Sequence, residues 1–128
     1  MEGAGDSVHR LGFKNQKELP AFYDLADIFV LASEKEPWGL SVNEAMVGGC
    51  VPIVTKECGS AADLIDNTNG RVVSPGDVGD LAKVLNDLLS NPKHLAEMGA
   101  NAKTRIKTWG LEESVEGLRS AINHLKAL

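Results

Sequence analysis

Two glutamates with seven residues between them, Glu36 and Glu44, flank a glycine in the run Ser33-Glu34-Lys35-Glu36-Pro37-Trp38-Gly39-Leu40-Ser41-Val42-Asn43-Glu44-Ala45-Met46. The second half of this run reads as a helix, and Gly39 stands where that helix begins. A helix N-terminus presents backbone N–H groups without intrahelical partners and the positive end of the helix dipole, and both favour a phosphate or diphosphate. Gly39 would let such a ligand approach with no Cβ in its way. Glu44, about one turn into the helix, can accept two hydroxyl protons from a vicinal diol such as a ribose, because an ionised carboxylate is an acceptor with two oxygens. Each residue also has a plainer reading. Glutamates in loops and first turns are commonly solvated or complement the helix dipole, and a loop tryptophan such as Trp38 is commonly a packing lid.

A site of this kind needs a strand that ends where the loop starts. Ile28-Phe29-Val30-Leu31-Ala32 is continuously apolar and rich in β formers, the pattern of a strand buried on both faces of a parallel sheet. In open parallel sheets ligands bind outside the carboxyl ends of the strands, so the loop after Ala32 is the place for chemistry. The helix Leu40 to Val47 stops at Gly48-Gly49 and a second apolar strand follows at Val51 to Thr55, which completes a βαβ unit. Upstream, Val8 to Leu11 has strand character and ends at Gly12. Asn15 followed by Glu18 then opens a helix, with Asn placed to cap, Glu placed to reach back and Pro20 in the first turns.

Downstream, Gly59-Ser60 opens a short helix through Asp66, Asn67 to Gly70 turns the chain, and Arg71-Val72-Val73 forms a further strand before Pro75-Gly76. Three helices remain. Asp77 caps the one carrying Val78, Leu81, Leu85 and Leu88; Asn91-Pro92 starts the one carrying Leu95, Met98, Ala102 and Ile106. The last sets Leu111, Val115, Leu118, Ile122 and Leu125 on one stripe. The expected fold is α/β: a Rossmann-like parallel sheet of about four strands with flanking helices and a helical C-terminal third, in a single domain over residues 1–128.

Composition narrows the function. A chain of 128 residues, 43% hydrophobic and 24% charged, suits one globular domain with a sizeable core. A net charge of −5 argues against nucleic acid as a partner, since phosphate neutralisation needs clustered Lys and Arg. Cys50 and Cys58 lack the His spacing of a zinc site and read as small buried or partly buried residues of a reducing compartment; no metal site is expected. No apolar run approaches the roughly 20 residues of a membrane span, and the glycine-rich, acidic start is unlike a signal peptide, so a cytoplasmic location is expected. His9, His94 and His124 stand apart and read as surface or capping residues. The basic helix around Lys103, Arg105 and Lys107 reads as a solvated face, with peripheral contact to an anionic membrane as the alternative.

The chain resembles the nucleotide-sugar-binding C-terminal domain of group-one retaining glycosyltransferases of the GT-B fold. Leu25-Ala26-Asp27-Ile28-Phe29-Val30-Leu31-Ala32-Ser33 is similar to the family's strand before the site, and Glu36 to Met46 to its motif of paired glutamates. Gly49-Cys50-Val51-Pro52-Ile53-Val54 continues the likeness, and Gly70 to Asp77 is similar to the family's last strand and turn. Carried over residue by residue, the resemblance implies that Glu36 is the catalytic carboxylate, contacting hydroxyls of the transferred sugar, and that Glu44 holds the ribose. Amides around Gly39, Leu40 and Ser41 would meet the diphosphate and sugar, with Trp38 beside them. Gly12-Phe13-Lys14 matches the base-contacting loop, which places Phe13 and Lys14 at the donor.

The implied reaction takes a sugar from a nucleoside diphosphate sugar, as substrate, to an unidentified acceptor, with neither metal nor other cofactor. Departures from the family matter equally. Family members carry an Arg and a Lys in the first half of this domain to neutralise the leaving group, and an N-terminal domain that binds acceptor; both are expected to be missing here, so the isolated chain is expected to be inactive. Lys35 and Lys56 near the site read as ordinary surface lysines. Gly49 occupies a variable position with no role assigned. The family's strand order 3-2-1-4-5-6 implies that the strand at Val8 to Leu11 loses its usual neighbour. It then moves beside Ile28 to Ala32, dangles, or is completed by another chain, with self-association through the exposed sheet edge as the hazard. The alternative is a non-catalytic α/β interaction or regulatory domain with a vestigial site, against which the retention of both Glu36 and Glu44 around Gly39 counts.

Overall fold

A computed structural model describes residues 5–127. Among them, six α-helices and three strands follow in the order α1 (Leu19–Leu25), β1 (Ile28–Leu31), α2 (Leu40–Gly48), β2 (Val51–Thr55), α3 (Ala61–Leu64), β3 (Arg71–Val73), α4 (Val78–Leu89), α5 (Pro92–Ile106) and α6 (Leu111–Lys126). Local chemistry explains most of the boundaries. Ahead of α1, Asn15 Oδ1 accepts from the amides of Lys17 and Glu18 while Glu18 Oε2 accepts from Asn15 N at 3.0 Å, a reciprocal capping arrangement. The Asp77 carboxylate caps α4 through Asp80 N at 2.9 Å, and Asn91 Oδ1 caps α5 through His94 N at 3.1 Å. Gly49, part of the Gly48-Gly49 stop expected from the sequence, ends α2 at φ 90°, and its N–H donates to the carbonyls of Ala45 and Met46. The left-handed geometry of such an ending favours glycine.

The sheet is parallel in the order β1-β2-β3, with Ile28 opposite Val51 and Ile53 opposite Arg71. The central strand β2 is buried at all five positions. Its side chains alternate between two cores. Val54 joins Val42, Met46, Ala61, Leu64, Ala102 and Ile106 on one side, and Val51 and Ile53 join Val73, Leu88, Leu95 and Met98 on the other. Close backbone approach fixes the helices over this strand: a Cβ on Gly99 of α5 would collide with the carbonyl oxygen of Gly49 at the end of α2.

Three expectations are corrected. The described sheet has three strands, not four, because Val8 to Leu11 forms no strand and both Val8 and Leu11 are exposed. Four residues of β propensity gain little without a neighbouring ladder to bond to, and this segment does not take the open edge of β1. Second, β1 is an edge strand rather than a doubly buried one: Phe29 and Leu31 pack toward α2, but Val30 on the other face is 39% exposed. Third, α3 stops at Leu64 instead of Asp66, where Ile65 turns extended and Asn69 Nδ2 donates to Leu64 O at 3.0 Å. The apolar stripe of α6 is helical as its spacing requires, and every residue of that helix lies outside the core. Both cysteines are free and buried.

Candidate donor site

The loop between β1 and α2 is bound to the loop after β2. Glu36 N donates to Glu57 O at 3.2 Å, Gly59 N to Glu36 O at 2.9 Å and Ser60 N to Trp38 O at 3.0 Å, and the Cys58 thiol also donates to Trp38 O. Gly39, buried at φ 84°, turns the chain into α2. A Cβ there would lie 2.8 Å from Cys58 Sγ and 2.9 Å from Leu31 Cδ2. The space that sequence reading reserved for a ligand is therefore filled by the protein's own core, because the missing Cβ points inward.

Glu36 Oε1 accepts from Gly39 N at 3.1 Å and Trp38 N at 3.3 Å, which sets the half-buried carboxylate beside the start of α2. No side chain caps that helix. The amides of Leu40 and Ser41, in the first turn, have no intrahelical carbonyl to bond to, and Leu40 is exposed while Ser41 is half-buried. Trp38 is engaged in packing: its ring lies 5.6 Å from that of Trp109 at 31°, and its Nε1 donates to Asn43 Oδ1 at 2.9 Å.

Glu44 lies farther along α2 and faces α1. Its Oε2 accepts from the Tyr23 hydroxyl at 3.2 Å, at the wall of a cleft of about 210 Å³ lined also by Gln16, Leu19, Val47 and Gly48. Burial, reinforced by the charge of Glu44 and the hydrogen bond to it, pushes the Tyr23 phenol above its ordinary value. An adjoining depression shares Gln16 and Leu19 and is lined by Phe13 and Lys14. Phe13 is 92% exposed, and Lys14 Nζ sits 5.7 Å from the centre of the Phe22 ring. The fold thus brings Glu44, Phe13 and Lys14 onto one continuous face. Glu36 lines a separate depression with Lys35, Lys56 and Cys58. Tyr23 is the residue that sequence reading missed; the available signal was that it is the chain's single tyrosine, in a helix next to the site. Among the described residues, no three His, Cys, Asp or Glu side chains converge as a metal-binding group.

Residues 2–105 match the family model described as glycosyl transferases group 1. The chain belongs to that family. The MMP alpha-(1->4)-mannosyltransferase of Mycolicibacterium hassiacum is 33% identical over 105 residues, covering 80% of this chain and 25% of that protein. Sucrose-phosphate synthase from Thermosynechococcus elongatus superimposes with a TM-score of 0.83 at 27% identity, over 96% of this chain and 31% of the other. HepE of Anabaena, solved in complex with UDP, superimposes with a TM-score of 0.76 at 27% identity, over 92% and 34%. This group 1 chain therefore spans about a quarter to a third of the length of these relatives, as a C-terminal-domain portion of the GT-B type does. Among its described residues no helix is long and apolar enough to cross a membrane.

Proposed function

We propose that this chain is the donor-binding portion of a retaining glycosyltransferase, one that moves a sugar from a nucleoside diphosphate sugar to an acceptor without a metal ion. The observation that carries this reading is the uncapped N-terminus of α2, bracketed by the Glu36 carboxylate on one side and the Tyr23–Glu44 cleft on the other. The UDP held by the HepE structure and the sugar-transferring relatives support it.

In this reading the diphosphate sits against the amides of Leu40 and Ser41, where the helix dipole offsets the charge that grows as the leaving group departs. Glu44 accepts the ribose hydroxyls, and the base lies along the face formed by Phe13 and Lys14. Glu36 accepts hydroxyls of the sugar being transferred, fixed by its own bonds to the loop amides so that little reorganisation is needed on binding. Positioning and leaving-group stabilisation are the work assigned to these residues. With no acceptor-binding role assigned to these residues, the 128-residue chain is expected to bind nucleotide weakly and to transfer negligibly by itself.

Calorimetric titration with UDP, ADP, GDP and their sugar conjugates tests the reading, beside the same titrations of Glu44→Ala. Binding of one nucleotide that the substitution weakens by about 1.5 to 3 kcal/mol, the range for hydrogen bonds to a charged group, is the expected result. A folded chain that binds none of them favours a non-catalytic α/β interaction domain instead.

A further inference from the structure

We infer that Tyr23 is a positioning residue for the donor, holding one oxygen of Glu44 so that the other faces the cleft. The inference rests on the reading of Glu44 as the ribose-binding carboxylate. Four observations place the phenol. Its hydroxyl donates to Glu44 Oε2 from a helix 21 residues upstream. Its backbone is pressed against Gly48, where an added Cβ would come within 2.8 Å of Tyr23 Cβ and 2.9 Å of its carbonyl oxygen. That same carbonyl accepts from the Cys50 thiol at 3.2 Å. The ring meets Phe29 edge-on, with centroids 5.9 Å apart at 76°.

Backbone and ring are thus fixed by packing that does not involve the hydroxyl. The hydroxyl is the one part of the side chain left to act on Glu44. A glutamate on a helix has three rotatable side-chain bonds, and an exposed one samples many positions at a cost recovered only on ligand binding. Tying one oxygen to a fixed phenol removes most of that freedom beforehand, and leaves the remaining acceptor sites of the carboxylate for a diol. The contact length of 3.2 Å is long for a hydroxyl donor, so it has room to tighten when the cleft fills.

The test uses the 128-residue chain with Tyr23→Phe and Glu44→Gln, and two readouts. Tyr23 is the only tyrosine, so its ionisation is read directly from tyrosinate absorbance. In the wild type it titrates above its ordinary value, and in Glu44→Gln it titrates lower; identical curves would overturn the contact. The second readout is titration with UDP, ADP and GDP and their 2′,3′-dideoxy counterparts. Tyr23→Phe is expected to weaken the ribonucleotide about fivefold to tenfold while leaving the 2′,3′-dideoxy compound, which offers Glu44 no hydroxyl, nearly unchanged. Equal weakening of both would assign Tyr23 a merely structural role. If Glu44→Gln weakens binding and Tyr23→Phe does not, the positioning role fails and the reading of Glu44 survives. If Glu44→Gln has no effect, or no nucleotide binds, that reading fails and takes the positioning role with it.

Discussion

Gly39 and Cys58 are in close contact across the two loops that frame the site: a Cβ on Gly39 would stand 2.8 Å from the Cys58 sulfur, while the Cys58 thiol donates to the carbonyl of Trp38 one residue before. The start of α2 is therefore set by the loop after β2 as much as by its own sequence. Gly39→Ala combines the cost of a left-handed alanine with overpacking of a buried contact, and is expected to destabilise the chain by about 2 to 4 kcal/mol. In a Cys58→Ala background the overpacking share falls and the backbone share remains, so the two substitutions are expected to be less than additive in urea denaturation. Strict additivity would mean that the contact does not limit position 39.

The Trp38–Trp109 pair connects this same loop to the chain between α5 and α6. Trp109→Ala is expected to lower stability by about 1 to 2 kcal/mol, through lost aromatic contact and burial. Its sharper effect is local. Amide hydrogen exchange at Trp38 and Gly39, both bonded to Glu36, should speed up relative to the amides of β2. Unchanged exchange at those two amides would show that Trp109 does not support the site loop.

Acid stability should depend on a turn remote from the site. Asp66 Oδ1 accepts from the Thr68 hydroxyl at 2.6 Å and from Thr68 N at 2.8 Å, and these bonds hold its carboxyl below the ordinary value of 3.8. A carboxyl depressed in the folded state adds stability that is present above its unfolded pKa and is lost as pH falls through the lower folded value. Thr68→Val removes the hydroxyl donor, so the Asp66 carboxyl should titrate closer to 3.8 and the acid unfolding midpoint should move to higher pH. Side-chain carboxyl NMR of Asp66 reads the first effect and circular dichroism the second. An unmoved titration would mean the hydroxyl bond is not maintained in solution.

Much of the fold was legible because its signals are local. The caps at Asn15, Asp77 and Asn91 are satisfied by amides two or three residues away, so residue type and spacing suffice to place them. The run Val51 to Thr55 reads as an apolar strand and is one, buried at every position. The paired glutamates and the glycine between them were likewise visible as types at a spacing, and the start of α2 at Leu40 followed from them.

What the sequence by itself determined is the set of elements: the helices with their caps, the strands β1, β2 and β3, and the placing of Glu36 and Glu44 around the entrance of one helix. Tertiary structure alone decided which of those elements found neighbours. Ile28 to Leu31 and Val51 to Thr55 are both apolar runs, yet only the second is flanked by strands on both sides, so only the second is wholly buried. Val8 to Leu11 has strand character and no ladder to join. Trp38 meets Trp109 across 71 positions of chain, and Tyr23 meets Glu44 across 21. Periodicity and propensity report what a segment prefers within a few residues of itself. Hydrogen-bond ladders, ring contacts and the phenol on Glu44 depend on groups far away in sequence, and only the folded chain brings them within reach.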